Sequence, residues 1–125
     1  KGLLFHRVIP GFVIQGGGHT RDLARKETRE PIQNEAIESL KNLRGTLSMA
    51  RLSDPHSATS QFFINLNDNT NLDWKPHNVG YAVFGKVTPE SLLIIDKIAK
   101  VETGTNGVYK DVPVESVEII RAYKL

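Results

Sequence analysis

Apolar residues in this chain fall in short runs with polar partners on alternate positions, and only one stretch holds a sustained helical period. That pattern predicts a mainly β domain with helical cover. Runs at Leu3 to Ile9 and Phe12 to Gln15 flank Pro10-Gly11, a turn signal because proline presets φ and glycine accepts positive φ. Further strands are predicted at Gly45 to Ala50 (GTLSMA), Gln61 to Asn65 (QFFIN) and Tyr81 to Val87 (YAVFGKV). A last strand is predicted from Val114 toward Leu125, with Val117, Ile119, Tyr123 and Leu125 on one face. Helix grammar starts at Thr88-Pro89-Glu90: an N-cap, a proline at the first helical position and a carboxylate in the first turn. Leu92, Ile95, Ile98 and Ala99 then recur at helical spacing, with Gly104 expected as the stop. Glu35 to Leu43 predicts a short helical turn through Ala36, Leu40 and Leu43, while Thr20 to Pro31 and Asn67 to Asn78 read as polar loops.

Within the first strand, strict alternation puts Phe5, Arg7 and Ile9 on one face and Leu4, His6 and Val8 on the other. An arginine between large apolar residues needs a reason, since a guanidinium is seldom buried unpaired. A structural ion pair or a snorkelling stem is the plain explanation for a single case. However, Gln15 shares a face with Val13, and Gln61 and Asn65 share one with Phe63. Polar groups repeated on apolar strand faces point to a binding surface.

Composition narrows the chemistry. A chain of 125 residues, 39% apolar and 24% charged, bounds the answer to one domain over residues 1–125. A net charge of +2 with no basic stripe gives no argument for nucleic acid, and no apolar run approaches the ~18 residues of a membrane helix. Without cysteine there is no disulfide or thiol chemistry. His6, His19, His56 and His77 lack the spacing of a local zinc site, so neither metal nor cofactor is expected. Gly16-Gly17-Gly18 is not followed by Lys-Ser/Thr, which argues against a phosphate cradle. Ser57 and Ser60 lie near His56 without a GxSxG frame, and Asp54, Asp68 and Asp73 sit in turn-rich loops. One strand-borne arginine, two glutamines and a set of aromatic and aliphatic residues remain. That inventory suits an extended, neutral, partly apolar ligand better than acid–base or covalent chemistry.

The segments FHRVIPGFVIQGG, GTLSMA, SATSQFFIN and YAVFGKV, in that order, resemble the cyclophilin family of peptidyl-prolyl cis–trans isomerases. The likeness runs from Leu3 to the last strand, and EPIQNEA and GYAVFGKV look most like bacterial members. The resemblance implies an eight-stranded antiparallel β-barrel capped by helices, with N-terminal strands and a first helix outside this chain. The start, Lys1-Gly2-Leu3-Leu4, enters a strand almost at once, so the chain is expected to be cut.

By the same resemblance Arg7 matches the family's catalytic arginine, Phe12 the floor of the proline pocket and Gln15 a groove amide. Gln61 matches a second groove amide, and Val13 stands where methionine is common. Ala50 and Arg51 match an edge whose backbone pairs with peptide; the family often has Asn where Arg51 stands. Phe63 and Leu72 match further pocket walls, and Tyr81 replaces a histidine of animal members. Asn71 stands where animal members have a tryptophan, which predicts at most weak cyclosporin binding; Trp74 is read as a loop residue covering the barrel end. The implied activity is isomerisation of X-Pro bonds in proline-containing peptides and unfolded proteins, by a monomer assisting protein folding. The competing reading is a non-catalytic proline-peptide-binding module. Cytoplasm and periplasm stay equally open.

Overall fold

The computed structural model describes residues 2–125. Strand β1 (Leu3–Ile9) and β2 (Val13–Gly16) pair antiparallel through a turn closed by the Phe12 N–H on the Ile9 carbonyl at 3.0 Å. Gly11 takes φ +74° there, which glycine adopts without strain. Then come β3 (Thr46–Met49), β4 (Phe62–Asn65), β5 (Val83–Lys86), helix α1 (Pro89–Ile98), β6 (Thr103–Asn106), β7 (Tyr109–Pro113) and β8 (Glu118–Ile119). The strands form an antiparallel six-stranded sheet in the order β5-β3-β4-β2-β1-β8 and a β6-β7 hairpin, so the mainly β expectation is met.

Alternation on these strands decides which side chains make the core. Val8 from β1, Ile14 from β2 and Ile64 from β4 are buried together with Phe5 and Leu66. Helix α1 closes this face: Ile95 is buried, and Leu92, Ile98 and Ala99 pack beside it. Its start is as predicted, with the Thr88 hydroxyl accepting from the Ser91 N–H at 3.2 Å and Pro89 opening the first turn.

Several expectations are corrected. The helix ends at Ile98, not near Gly104; the Lys100 and Val101 N–H groups bond the Lys97 and Ile98 carbonyls, which tightens the last turn and ends it. Gly104 belongs to β6. The β6-β7 hairpin was not foreseen, because Thr103 to Asn106 is polar and carries no apolar alternation. Its Asn106-Gly107 pair, with Gly107 at φ +61°, is the hairpin signal that could have found it. The last strand shrinks to Glu118–Ile119: only Leu3 and Leu4 lie opposite it, and Tyr123 and Leu125 are exposed rather than continuing the face of Val117 and Ile119. No helix forms at Glu35 to Leu43, only a single turn closed by the Leu40 N–H on the Ile37 carbonyl at 3.3 Å. Ile37, Leu40 and Leu43 stay about half exposed, and Asn42 is the residue drawn inward.

Alternation along β1 is also interrupted. Phe5 lies opposite Gly16, but Arg7 lies opposite Gln15, so His6 is one residue too many. Such a bulge re-aims the side chains on either side of it. Phe5 therefore joins Val8 in the core instead of sharing a face with Arg7.

Three consecutive glycines follow β2 for steric reasons. A Cβ on Gly16 would lie 2.6 Å from the Leu4 carbonyl oxygen, one on Gly17 2.7 Å from that of Ser60, and one on Gly18 2.6 Å from Gln61 Nε2. Gly80 is constrained twice, by φ +67° and by backbone of Leu72 to Trp74 within 2.7 Å of any Cβ. Gly80→Ala is therefore expected to destabilise by at least about 2 kcal/mol in urea unfolding. Gly85, on β5 with open space around its Cβ position, is the control: Gly85→Ala should be neutral or stabilise by up to about 1 kcal/mol.

Candidate functional site

The face of the sheet opposite the core carries a concave groove. Strand β2 sends Ile14 to the core and Val13 and Gln15 to the groove, while β4 sends Phe62 and Ile64 one way and Phe63 the other. The bulge at His6 delivers Arg7 to the same place. Phe12, from the β1–β2 turn, and Ala50 and Arg51, just past β3, add a floor and an edge. Leu72 and Tyr81, from the long loop before β5, close the far wall. The cavity measures about 170 Å³, and cavities of about 150 Å³ accept a benzene ring, so a five-membered ring fits.

Gln61 does not line the cavity but completes a polar relay along its side. Arg7 Nη1 donates to Gln15 Oε1 at 3.0 Å, and Gln15 Nε2 donates to Gln61 Oε1 at 2.8 Å. Gln61 packs where Gly18 has no side chain. All ten sequence-nominated residues thus sit in or directly behind one groove. Neither Asn71, which is exposed, nor Trp74, half-buried in the same loop, lines it. No carboxylate, histidine, serine or cysteine is among the lining residues, so the groove offers chiefly hydrogen bonding and apolar contact.

At the far wall Phe63 and Tyr81 meet edge to face, centroids 5.7 Å apart. The Arg51 guanidinium lies 4.3 Å from the Tyr81 ring centroid. It donates from Nη1 to the Leu52 carbonyl at 2.9 Å and from Nη2 to the Gly80 carbonyl at 3.0 Å.

What holds this wall is a set of buried amides that sequence reasoning missed. Asn42, Asn65 and Ser48 are at most 1% exposed. The Asn42 N–H donates to Asp73 Oδ1 at 2.6 Å and its side chain to the Leu72 carbonyl at 3.1 Å. Asn42 Oδ1 accepts from the Ser48 hydroxyl at 2.6 Å and from Asn65 Nδ2 at 3.2 Å. Asn65 Oδ1 accepts from Asn69 Nδ2 at 2.8 Å, and the same Asn69 amide donates to the Phe12 carbonyl at 2.9 Å. The signal was Asn65 at the end of a strand followed by Asn67-Asp68-Asn69, which reads as a strand end and an ordinary polar loop unless a partner such as Asn42 is known to be inside.

A second buried cluster lies behind Arg7. His6 and His19 pack with ring centroids 4.2 Å apart and planes tilted by 49°, and Tyr109 meets His19 edge-on at 5.0 Å. His6 Nδ1 and both His19 ring nitrogens have no protein partner. Burial, then the neighbouring His19, then Arg7 bring the His6 pKa down from 6.5 to about 4. Burial and Arg25 likewise lower that of His19.

Residues 1–124 match the family described as cyclophilin type peptidyl-prolyl cis-trans isomerase/CLD. The chain belongs to the cyclophilin family. Its relatives include peptidyl-prolyl cis-trans isomerase A of Dickeya dadantii, 51% identical over 97% of this chain and 66% of the relative. A peptidyl-prolyl cis-trans isomerase of Acinetobacter baylyi is 54% identical over 96% of the chain and 63% of its own length. Peptidyl-prolyl cis-trans isomerase B of Escherichia coli is 51% identical over 93% and 72%. The chain therefore spans a little under two thirds of the first two relatives. Among solved structures, a Cryptosporidium parvum cyclophilin-type isomerase, crystallised in the presence of the dipeptide Ala-Pro, superposes with a TM-score of 0.67 at 27% identity. It covers 95% of this chain and 72% of that one. This cyclophilin-family chain thus looks bacterial, as its motifs suggested.

Two outcomes follow for this cyclophilin fold. Asn42→Ala leaves the Ser48 hydroxyl without its acceptor, a buried orphan that costs about 1–3 kcal/mol. The Asn65 amide and the Leu72 carbonyl each lose one bond but keep Thr46 and the Tyr81 N–H as partners. A loss of about 2 kcal/mol or more in urea unfolding is expected. The histidine pair gives a pH dependence: with folded pKa values below the unfolded 6.5, the unfolded chain takes up protons first as pH falls. Stability is full above about pH 6.5 and declines toward about pH 4. His19→Phe, measured by urea midpoint against pH, should flatten that decline.

Proposed function

We propose that the groove is a peptidyl-prolyl cis–trans isomerase site acting on X-Pro bonds of peptides and unfolded proteins. Amide resonance opposes rotation about such a bond with a barrier of roughly 18–20 kcal/mol, yet turning it breaks no covalent bond. A catalyst need only bind the twisted state better than the planar one. The observation that carries this reading is the pairing of an oriented guanidinium with a ring-sized apolar cavity that no carboxylate, histidine, serine or cysteine lines.

In the twisted state the prolyl nitrogen loses its resonance and becomes a hydrogen-bond acceptor. Arg7 is oriented through one Nη1–H by Gln15, leaving other N–H groups to donate to the proline's own carbonyl and toward that nitrogen. Phe12, Val13, Phe63, Leu72 and Tyr81 hold the ring away from water, which strengthens that interaction. Gln15, Gln61 and the backbone at Ala50 and Arg51 anchor the flanking chain, so that one side of the bond turns while the other is held. By the same reading the protein acts as a monomer in protein folding and binds cyclosporin only weakly, because Asn71 offers no aromatic face.

A charge-assisted hydrogen bond is worth about 1.5–3 kcal/mol, or roughly one to two powers of ten in rate. Arg7 therefore supplies part of the acceleration, and anchoring and desolvation the rest. Arg7→Ala is expected to lower kcat/KM on an Ala-Pro peptide by about ten- to a hundredfold with the circular dichroism spectrum unchanged. Near-full activity in that variant would sink the mechanism. Line broadening of a proline peptide without faster cis–trans exchange in the unmutated protein would support the binding module instead.

A further inference from the structure

We propose that Arg51 is a specificity residue, giving the groove a preference for peptides with an acidic side chain in the three residues before the proline. The inference rests on the isomerase reading and extends it to the substrate.

The argument begins with charge. Arg7 and Arg51 both line the groove, and no carboxylate lines it with them. The ion pairs among the described residues, Arg21 with Glu118 and Arg44 with Asp96, involve other residues. The neighbouring acid, Asp73, is turned into the amide network, where Asn42 donates to its Oδ1. Arg51 is held by two backbone carbonyls and a tyrosine ring, all of them neutral partners. Those contacts fix the position of a positive charge without cancelling it. In a groove partly closed to water, such a charge discriminates between ligands of opposite sign.

Position comes from the sheet order. Arg7 is on β1 and Arg51 follows β3, with β2 and β4 between them. Three inter-strand steps of about 4.8 Å put their backbones roughly 14 Å apart, the reach of about four extended residues. If the proline's own carbonyl meets Arg7, the chain before the proline runs toward Arg51. Lysine or arginine at those positions meets repulsion; aspartate or glutamate meets a partner.

The test uses Ala-Ala-Ala-Pro-Phe peptides in which each alanine before the proline is replaced in turn by Glu or by Lys. The ratio of kcat/KM for the Glu peptide to that for the Lys peptide is read at each position. At one or more positions a ratio of about five is expected in about 0.01 M salt, falling toward one in about 1 M salt. Arg51→Gln should bring the ratio near one whatever it does to the absolute rates, and Arg51→Lys should keep most of it. A ratio near one at all positions in the unmutated protein, or a ratio that survives Arg51→Gln, overturns the proposal. If no peptide, including the all-alanine one, is turned over, the isomerase reading fails. The same ratio is then taken from Kd values by NMR titration and judges Arg51 by the same criteria.

Discussion

The groove depends on amides that never touch a ligand. A surface cavity cannot be held open by packing inside it, and close-packed protein tends to fill its own voids. Its walls need directional bonds from behind. Asn42, at most 1% exposed, ties the Leu72 carbonyl and Asp73 to Ser48 on β3 and Asn65 on β4. Asn69 carries the same network to the Phe12 carbonyl. Floor and far wall are thus fastened to two strands by one connected set of hydrogen bonds. Because buried polar groups are costly unless all are satisfied, that network has essentially one arrangement, and the cavity inherits its shape.

The near wall depends on a different irregularity. Without the extra residue at His6, β1 would keep strict alternation, and a one-residue change of register moves every side chain beyond it to the other face. The bulge puts Val8 and Phe5 in the core together and Arg7 in the groove. It also forces His6 inward, where it packs against His19 without a hydrogen-bonding partner for Nδ1. The acid sensitivity of that pair is a by-product of aiming the arginine.

These two devices mark the limit of what was legible in the sequence. The strands β1 to β5 and the start of α1 were readable because period-2 patterns, a Pro-Gly turn and an N-cap act locally. Arg7, Gln15 and Gln61 stood out as polar groups on apolar strand faces and lie at the groove; Asn65 stood out with them but is buried behind it in the amide network. Phe5 was placed on the wrong face because a bulge changes no residue type, only the count on one strand. Asn42, Asn65 and Asn69 fell in an expected helical turn, a strand and a polar loop and gave no sign of one network, because a buried amide and a solvated one are the same letter and only their partners tell them apart. Beyond Ile119 the alternation of Tyr123 and Leu125 was sound as a pattern but has no neighbouring strand among the described residues to pair with.

The choice of glutamine beside Arg7 follows from what the guanidinium has to do. A carboxylate at position 15 would orient it equally well, but would take a bidentate pair of N–H groups and neutralise the charge. Gln15 accepts one hydrogen bond from Nη1 and is itself held by Gln61, so orientation is passed across two strands through neutral amides. On the proposed isomerase reading, the charge and the remaining donors stay free for an acceptor that gains strength only as the prolyl bond twists. Arg51 is held on the same principle, by carbonyls and a ring. Both guanidinia are positioned by neutral groups that leave their charge uncancelled, and on the proposed reading this makes the groove's electrostatics, rather than its apolar walls, the part that distinguishes one peptide from another.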